Sequence, residues 1–210
     1  MWFLILFIGI DFIWKLLIDE GAENGGFLFL GYDFNWFAEP INHFTAKVVY
    51  GILNLVLPGR EVILSGDIIS ITDGVRPFRI IWECTGVRQI ITFVLVILLY
   101  FGPLRKKIYF IPLSVFILFA LNIARIVGVI ALTKDGFPDW FVNFNEWFNN
   151  KTWINSEQSY WIFYEDWFDM FHGKLFQWIY CNGIIFLLWL WWEEKFNLPY
   201  QHRKKKKLPR

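Results

Sequence analysis

Polarity along the chain alternates between long apolar runs and short charged or glycine-bearing breaks. Residues 1–18 are apolar except at Asp11 and Lys15, which stand four apart and so share a helical face on which they can pair. The acidic, glycine-bearing stretch 19–35 is expected to be a loop. In 34–57, Phe37, Ile41, Phe44, Val48 and Ile52 recur at helical spacing, with Glu39, Asn42, His43 and Lys47 between them. That pattern predicts an amphipathic helix, and its polar interruptions favour the membrane interface over a span. Pro58-Gly59 ends it. Val62-Ile63-Leu64 and Ile68-Ile69-Ser70-Ile71 are rich in β-branched residues and flank the turn signal Ser65-Gly66-Asp67, which predicts a β-hairpin.

From Cys84 the pattern is helical to Phe101. Gly102-Pro103-Leu104-Arg105-Lys106-Lys107 reads as a tight basic connection, and 108–132 as a returning helix broken at Lys134-Asp135-Gly136-Phe137-Pro138. In 139–169, Trp140, Phe141, Phe144, Trp147 and Phe148 fall on one helical face, which predicts a helix at the lipid surface, either an aromatic belt or a lid over a site. A last apolar helix covers 171–192, followed by the basic run Arg203-Lys204-Lys205-Lys206-Lys207.

Composition turns these helices into membrane helices. The chain is 56% hydrophobic and 21% aromatic, too apolar for an ordinary soluble domain. Several runs approach the roughly 20 residues that cross ~30 Å of hydrocarbon. The expected fold class is an all-α polytopic integral membrane protein, a helical bundle with a small extracytoplasmic β-hairpin and interfacial aromatic helices. Residues 1–18 lack a basic leader region and a small-residue cleavage site, so a retained helix is expected. The net charge of +1 hides an uneven distribution. Beside apolar helices, the basic groups at 105–107 and 203–207 read as cytoplasmic anchors obeying the positive-inside rule, rather than as a nucleic-acid surface.

With both basic segments cytoplasmic, the helix from Cys84 runs inward, 108–132 outward and 171–192 inward. The helical rise of 1.5 Å then puts Cys84 and Arg125 each about 27 Å from the inner end, and His172 about 31 Å. Three polar residues in otherwise apolar helices thus reach one depth near the outer leaflet. Their chemistry is complementary. A cation beside a thiol favours the thiolate, and a guanidinium can also donate to an oxyanion. A histidine can take the thiol proton and return it to a leaving amine. Cys84, Arg125 and His172 are therefore the candidate catalytic residues, with Glu83 and Asn122 as supporting groups. The set suits acyl transfer through a thioester and leaves open peptide cleavage, transpeptidation and lipid acyl transfer. Cys84 and Cys181 form no CxxC or metal-type spacing, and no cofactor or metal is expected. A thiol oxidoreductase fits poorly, because Cys181 falls roughly 9 Å below Cys84 by the same count, too far to bridge.

Glu83-Cys84-Thr85-Gly86-Val87, then Asn122-Ile123-Ala124-Arg125 and Phe171-His172-Gly173, in that order and topology, resemble the signature of the exosortase/archaeosortase family. The likeness runs from about residue 34 to 192. It implies one membrane-embedded domain over 1–196 with a basic cytoplasmic tail over 197–210. It implies a plasma- or inner-membrane cysteine transpeptidase or protease whose site faces the extracytoplasmic side. Its partners would be exported proteins bearing a C-terminal sorting signal (motif, transmembrane helix, basic cluster), membrane lipids, and a lipid or surface-polymer acceptor. The 139–169 insert has no counterpart in that pattern. A reading from a different class is a non-catalytic membrane scaffold for polysaccharide export or surface assembly, motivated by that aromatic insert.

Overall fold

The computed structural model describes residues 2–22, 26–72, 74, 77–135, 139–140, 143 and 177–207. Its elements are α1 (Trp2–Leu17), β1 (Ile18–Ala22), β2 (Gly26–Phe29), β3 (Tyr32–Asp33), α2 (Asn35–Val56), β4 (Val62–Ser65), β5 (Ile68–Ile71) and β6 (Phe78–Arg79). A 3-10 turn (Trp82–Thr85) leads into α3 (Val87–Leu99) and α4 (Leu104–Thr133). After the 139–176 region come α5 (Gln177–Trp192), a π-helical segment (Glu193–Asn197) and α6 (Leu198–Lys207).

Helices α1, α3, α5 and the first half of α4 share one apolar core, built around Phe3, Phe93, Ile97, Phe110, Ile185 and Trp192. One end of this bundle is fixed by aromatic contacts. Phe3 stacks on Trp189 with ring centroids 4.3 Å apart, and the Trp192 indole donates to the Phe101 carbonyl at 3.1 Å. The start of α1, the α3–α4 connection and the end of α5 therefore meet there. Gly102, at φ 133°, is required at this point, because a Cβ would lie 2.7 Å from Cζ2 of Trp192. The basic connection is not all loop. Lys107 is buried in the first turn of α4, and its ammonium donates to the Leu98 and Tyr100 carbonyls at 2.9 and 2.6 Å. Those are carbonyls at the end of α3 with no partner inside their own helix. Of its basic residues, Arg105 and Lys106 stay exposed.

The two sheets and α2 gather at the opposite end. The expected hairpin is present, with Ser65 paired to Ile68 and Gly66 taking the positive φ (64°) that the first position of a two-residue loop demands. It gains a third strand, β6, tied back by the Arg79 guanidinium on the Asp67 carboxylate (2.9 Å). Val62, Ile69 and Ile71 bury their side chains against Val49 and Leu53 of α2 and Ile126 of α4.

Two expectations need correction. The described residues of the 19–35 stretch form not a loop but the strands of a three-stranded antiparallel sheet, β1-β2-β3. Leu30 (φ 51°) and Gly31 (φ 80°) both adopt positive φ between the paired Phe29 and Tyr32, the geometry of a tight hairpin turn. The helix after Cys84 begins later than expected. Gly86, left-handed at φ 73°, separates the 3-10 turn from α3, which spans only thirteen residues. Helix α5 continues through the π segment into α6, which carries the basic run as far as Lys207. Helix α2 is present as expected, and it buries Ala38, Asn42, Thr45, Ala46, Val49 and Leu53, while Phe37 and Phe44 of its apolar stripe are exposed. Small residues let its backbone approach α4 and the sheet closely.

The architecture is mostly helical, with two small sheets rather than one. Among the described residues, α4 alone is both long and apolar enough to cross a membrane. Phe141, Phe144, Trp147 and Phe148 of the expected surface helix lie outside the described residues, as does His172. Trp140 is described, and its ring is exposed.

Candidate active site

The site is built on the turn Trp82–Thr85. Trp82 anchors it, fully buried with its ring 4.5 Å from that of Phe27 and 6.0 Å from that of Phe37. The Cys84 amide donates to the Ile81 carbonyl at 2.9 Å, closing the turn. Thr85, wholly buried, donates its hydroxyl to the Trp82 carbonyl at 2.7 Å and accepts from the Val87 amide at 3.4 Å. One hydroxyl thus joins the turn to the start of α3. Cys84 is a half-buried thiol at the head of this arrangement.

Helix α4 reaches the same turn from the side. The Asn122 amide nitrogen donates to the Cys84 carbonyl at 2.8 Å, and the Arg125 guanidinium donates to the same oxygen at 3.3 Å. The approach is tight enough to dictate the residue at 86. A Cβ there would stand 2.9 Å from Cγ of Asn122, and the backbone is in the left-handed region besides. Arg125 is 5% exposed. Its Nε and Nη1 are buried without a hydrogen-bond partner among the described residues. A permanent cation with Nε and Nη1 unengaged, held on the carbonyl of the cysteine itself, is an arrangement suited to an anion or an oxyanion.

A second charged group lies farther along α3. The Arg88 guanidinium donates to the Asp11 carboxylate at 2.6 Å, and Lys15 reaches the same carboxylate at 3.0 Å. The Asp11–Lys15 pairing is as expected from their spacing. Arg88, which docks α1 on α3, was not part of that expectation.

Of the sequence-based candidates, Cys84, Arg125 and Asn122 come together. Glu83 faces outward and is exposed. His172 lies outside the described residues. Sequence reasoning missed Asn42 and Thr45 as site features, whereas the close approach at Gly86 is what a glycine two places after the cysteine permits. The spacing of Ala38, Asn42, Thr45, Ala46 and Val49 was the available signal for the missed pair.

Residues 4–149 match the model of the transmembrane exosortases. The chain belongs to the exosortase family. It is therefore a membrane protein of that family, and the matched region holds Cys84, Asn122 and Arg125 and ends before His172. No curated protein and no solved structure matches the chain.

Proposed function

We propose that this exosortase-family protein is a cysteine transpeptidase or protease that cleaves C-terminal sorting signals of exported proteins. The observation that carries the reading is the double hold on Cys84. Asn122 and Arg125 both donate to its carbonyl, so the guanidinium is fixed beside the residue that bears the thiol. In the reaction, Cys84 Sγ attacks the scissile carbonyl carbon and the donors left over on Arg125 stabilise the oxyanion. The C–N bond then breaks, a thioester forms, and the amine leaves with the proton the thiol gave up. His172 is the group proposed to carry that proton. Water, a lipid or a surface polymer then attacks the thioester and restores the thiol.

The same reading orients the protein. Exposed Arg105 and Lys106 lie on the α3–α4 connection that Trp192 packs against, the end at which α5 passes toward basic α6. Basic residues gathered at one end favour a cytoplasmic position for it. Helix α4 would then cross, with α1, α3 and α5 packed along it, leaving Cys84, both sheets and α2 toward the outside. The outward faces of α1 and α4, with Ile8, Phe12, Leu16, Ile108, Leu113 and Phe116 exposed, suit contact with lipid. That all the partners of α2 lie near Cys84 favours an interfacial place for it.

The test is Cys84→Ala in the native host at wild-type expression. Surface proteins should then keep their C-terminal helix and basic cluster, visible by immunoblot and intact mass. Normal processing in the variant would refute the catalytic reading and favour the scaffold. In the wild type, the mass of the mature C-terminus separates hydrolysis from transfer.

A further inference from the structure

Several buried polar atoms near Cys84 lack a hydrogen-bond partner among the described residues. They are Asn42 Oδ1 and Thr45 Oγ1 on α2, Gln89 Oε1 on the first turn of α3, and Asn122 Oδ1 with Arg125 Nε and Nη1 on α4. Asn42, Thr45, Asn122 and Arg125 are each more than nine-tenths buried. Buried polar groups are almost always hydrogen-bonded, because losing water without a replacement is costly. A set of them on the three helices that meet at the Trp82–Thr85 turn calls for a ligand.

Packing locates the α2 pair. Asn42 and Thr45 lie on the buried stripe of α2 between Ala38, which packs on Trp82, and Ala46, which shares a core with Ile123 and Ile126. Cys84 packs against that same core. The two residues therefore face the turn and the segment of α4 that carries Asn122 and Arg125. The Asn122 amide cannot be turned over, since its nitrogen already donates to the Cys84 carbonyl at 2.8 Å. Its free oxygen is thus an acceptor beside Arg125's donors. A donor next to an acceptor is the complement of a peptide group, which offers one C=O and one N–H. An anionic headgroup would engage Arg125 and the Thr45 hydroxyl but leave the amide oxygens of Asn42 and Asn122 unmatched.

We infer that α2 is the recognition wall of this site: Asn42 and Thr45, with Asn122, hydrogen-bond the main chain of a polypeptide laid along Cys84. The inference rests on Cys84 being the nucleophile, and the experiment separates the two. The full-length protein in detergent is treated with iodoacetamide, which reads the thiol alone, or with acetyl-Ala-Ala-Ala-chloromethyl ketone, which adds a main chain. Modification of Cys84 is followed by peptide mass. In the wild type the peptidyl reagent should saturate. Thr45→Val and Asn42→Ala should each slow it roughly 2- to 10-fold, the worth of one neutral hydrogen bond. Thr45→Ser should restore the rate, and iodoacetamide should react equally with all variants. Equal peptidyl rates in wild type and variants would overturn the recognition role, leaving the groups to water. Parallel slowing of both reagents would overturn it in favour of a structural role. A wild-type Cys84 inert to iodoacetamide would refute the nucleophile reading underneath.

Discussion

Replacing Gly86 by alanine tests the geometry of the site most directly. The residue sits at φ 73°, so any side chain there carries left-handed strain of about 1–2 kcal/mol. Its Cβ would also stand 2.9 Å from Cγ and 3.1 Å from Nδ2 of Asn122. Asn122 cannot yield without losing its bond to the Cys84 carbonyl, which adds about 1–2 kcal/mol. Together Gly86→Ala should cost about 2–4 kcal/mol. At about 2–4 °C per kcal/mol for a chain of this size, the melting temperature should fall by roughly 5–15 °C. Gly66→Ala is the matched control. It has similar φ (64°), but its nearest neighbour is His43 Nε2 at an ordinary 3.7 Å, so only the strain remains. The assays are thermal unfolding in detergent and the iodoacetamide rate at Cys84. Gly86→Ala should change both, and Gly66→Ala the first alone. The double variant Gly86→Ala/Asn122→Ala should cost about 1 kcal/mol less than the sum of its parts, because the shorter side chain makes room. Equal melting shifts for the two glycines, with an unchanged thiol rate, would refute the tight Asn122 approach.

Other perturbations bear on the rest of the frame. Lys107→Met removes two charge-assisted bonds to the end of α3 and should cost about 2–4 kcal/mol, whereas exposed Lys106→Met should stay within about 0.5 kcal/mol, both read by thermal unfolding. Arg88→Gln should destabilise by about 1 kcal/mol more than Lys15→Gln, since Lys15 is 65% exposed and Arg88 25%. Partial recovery in Asp11→Arg/Arg88→Asp would identify the pair as the cause. Asp135 is held below its ordinary value of 3.8 by the Lys134 ammonium and by the Arg60 guanidinium, which ties the end of α4 to the loop after α2. A depressed folded value means that its contribution is complete above pH 3.8 and fades as pH falls through the native value. Asp135→Asn should therefore remove an acid-dependent component of stability below about pH 4 and leave the pH 6–8 range flat.

The parts of the fold legible in the sequence are those decided by local chemistry. The Ser65-Gly66-Asp67 turn and the β-branched residues around it specify the β4–β5 hairpin, and Asp11–Lys15 pair as their spacing requires. The common depth of Cys84 and Arg125 followed from helix rise alone, because both helices are anchored at the same connection. What was not legible depends on partners distant in the chain. Arg88 meets Asp11 across 77 positions, and nothing near Arg88 announces it. Acidic residues and glycines in 19–35 looked like a loop, but Phe27 has Trp82 to pack on, and that contact gives β2 a buried face. Lys107 looked like part of a cytoplasmic anchor, although the Leu98 carbonyl nine residues earlier, near the end of α3, gives its ammonium a better place.

Helix α2 shows the deeper reason. A helical stripe of Phe37, Ile41, Phe44, Val48 and Ile52 would be the buried face in water, where the larger apolar side chain gains more by leaving solvent. Here Phe37 and Phe44 are exposed, Ile41, Val48 and Ile52 are partly buried, and Ala38, Asn42, Thr45 and Ala46 are inside with Val49 and Leu53. The offset is consistent with a surrounding that is itself apolar: lipid satisfies a phenylalanine as well as a core does, so small and polar residues can take inner positions beside the aliphatic ones. The same exchange that hid this face from an amphipathic reading is what brings Asn42 and Thr45 to the cysteine. In a chain of this composition, polar residues at helical spacing among small ones are therefore the better pointer to the site than the aromatic stripe beside them.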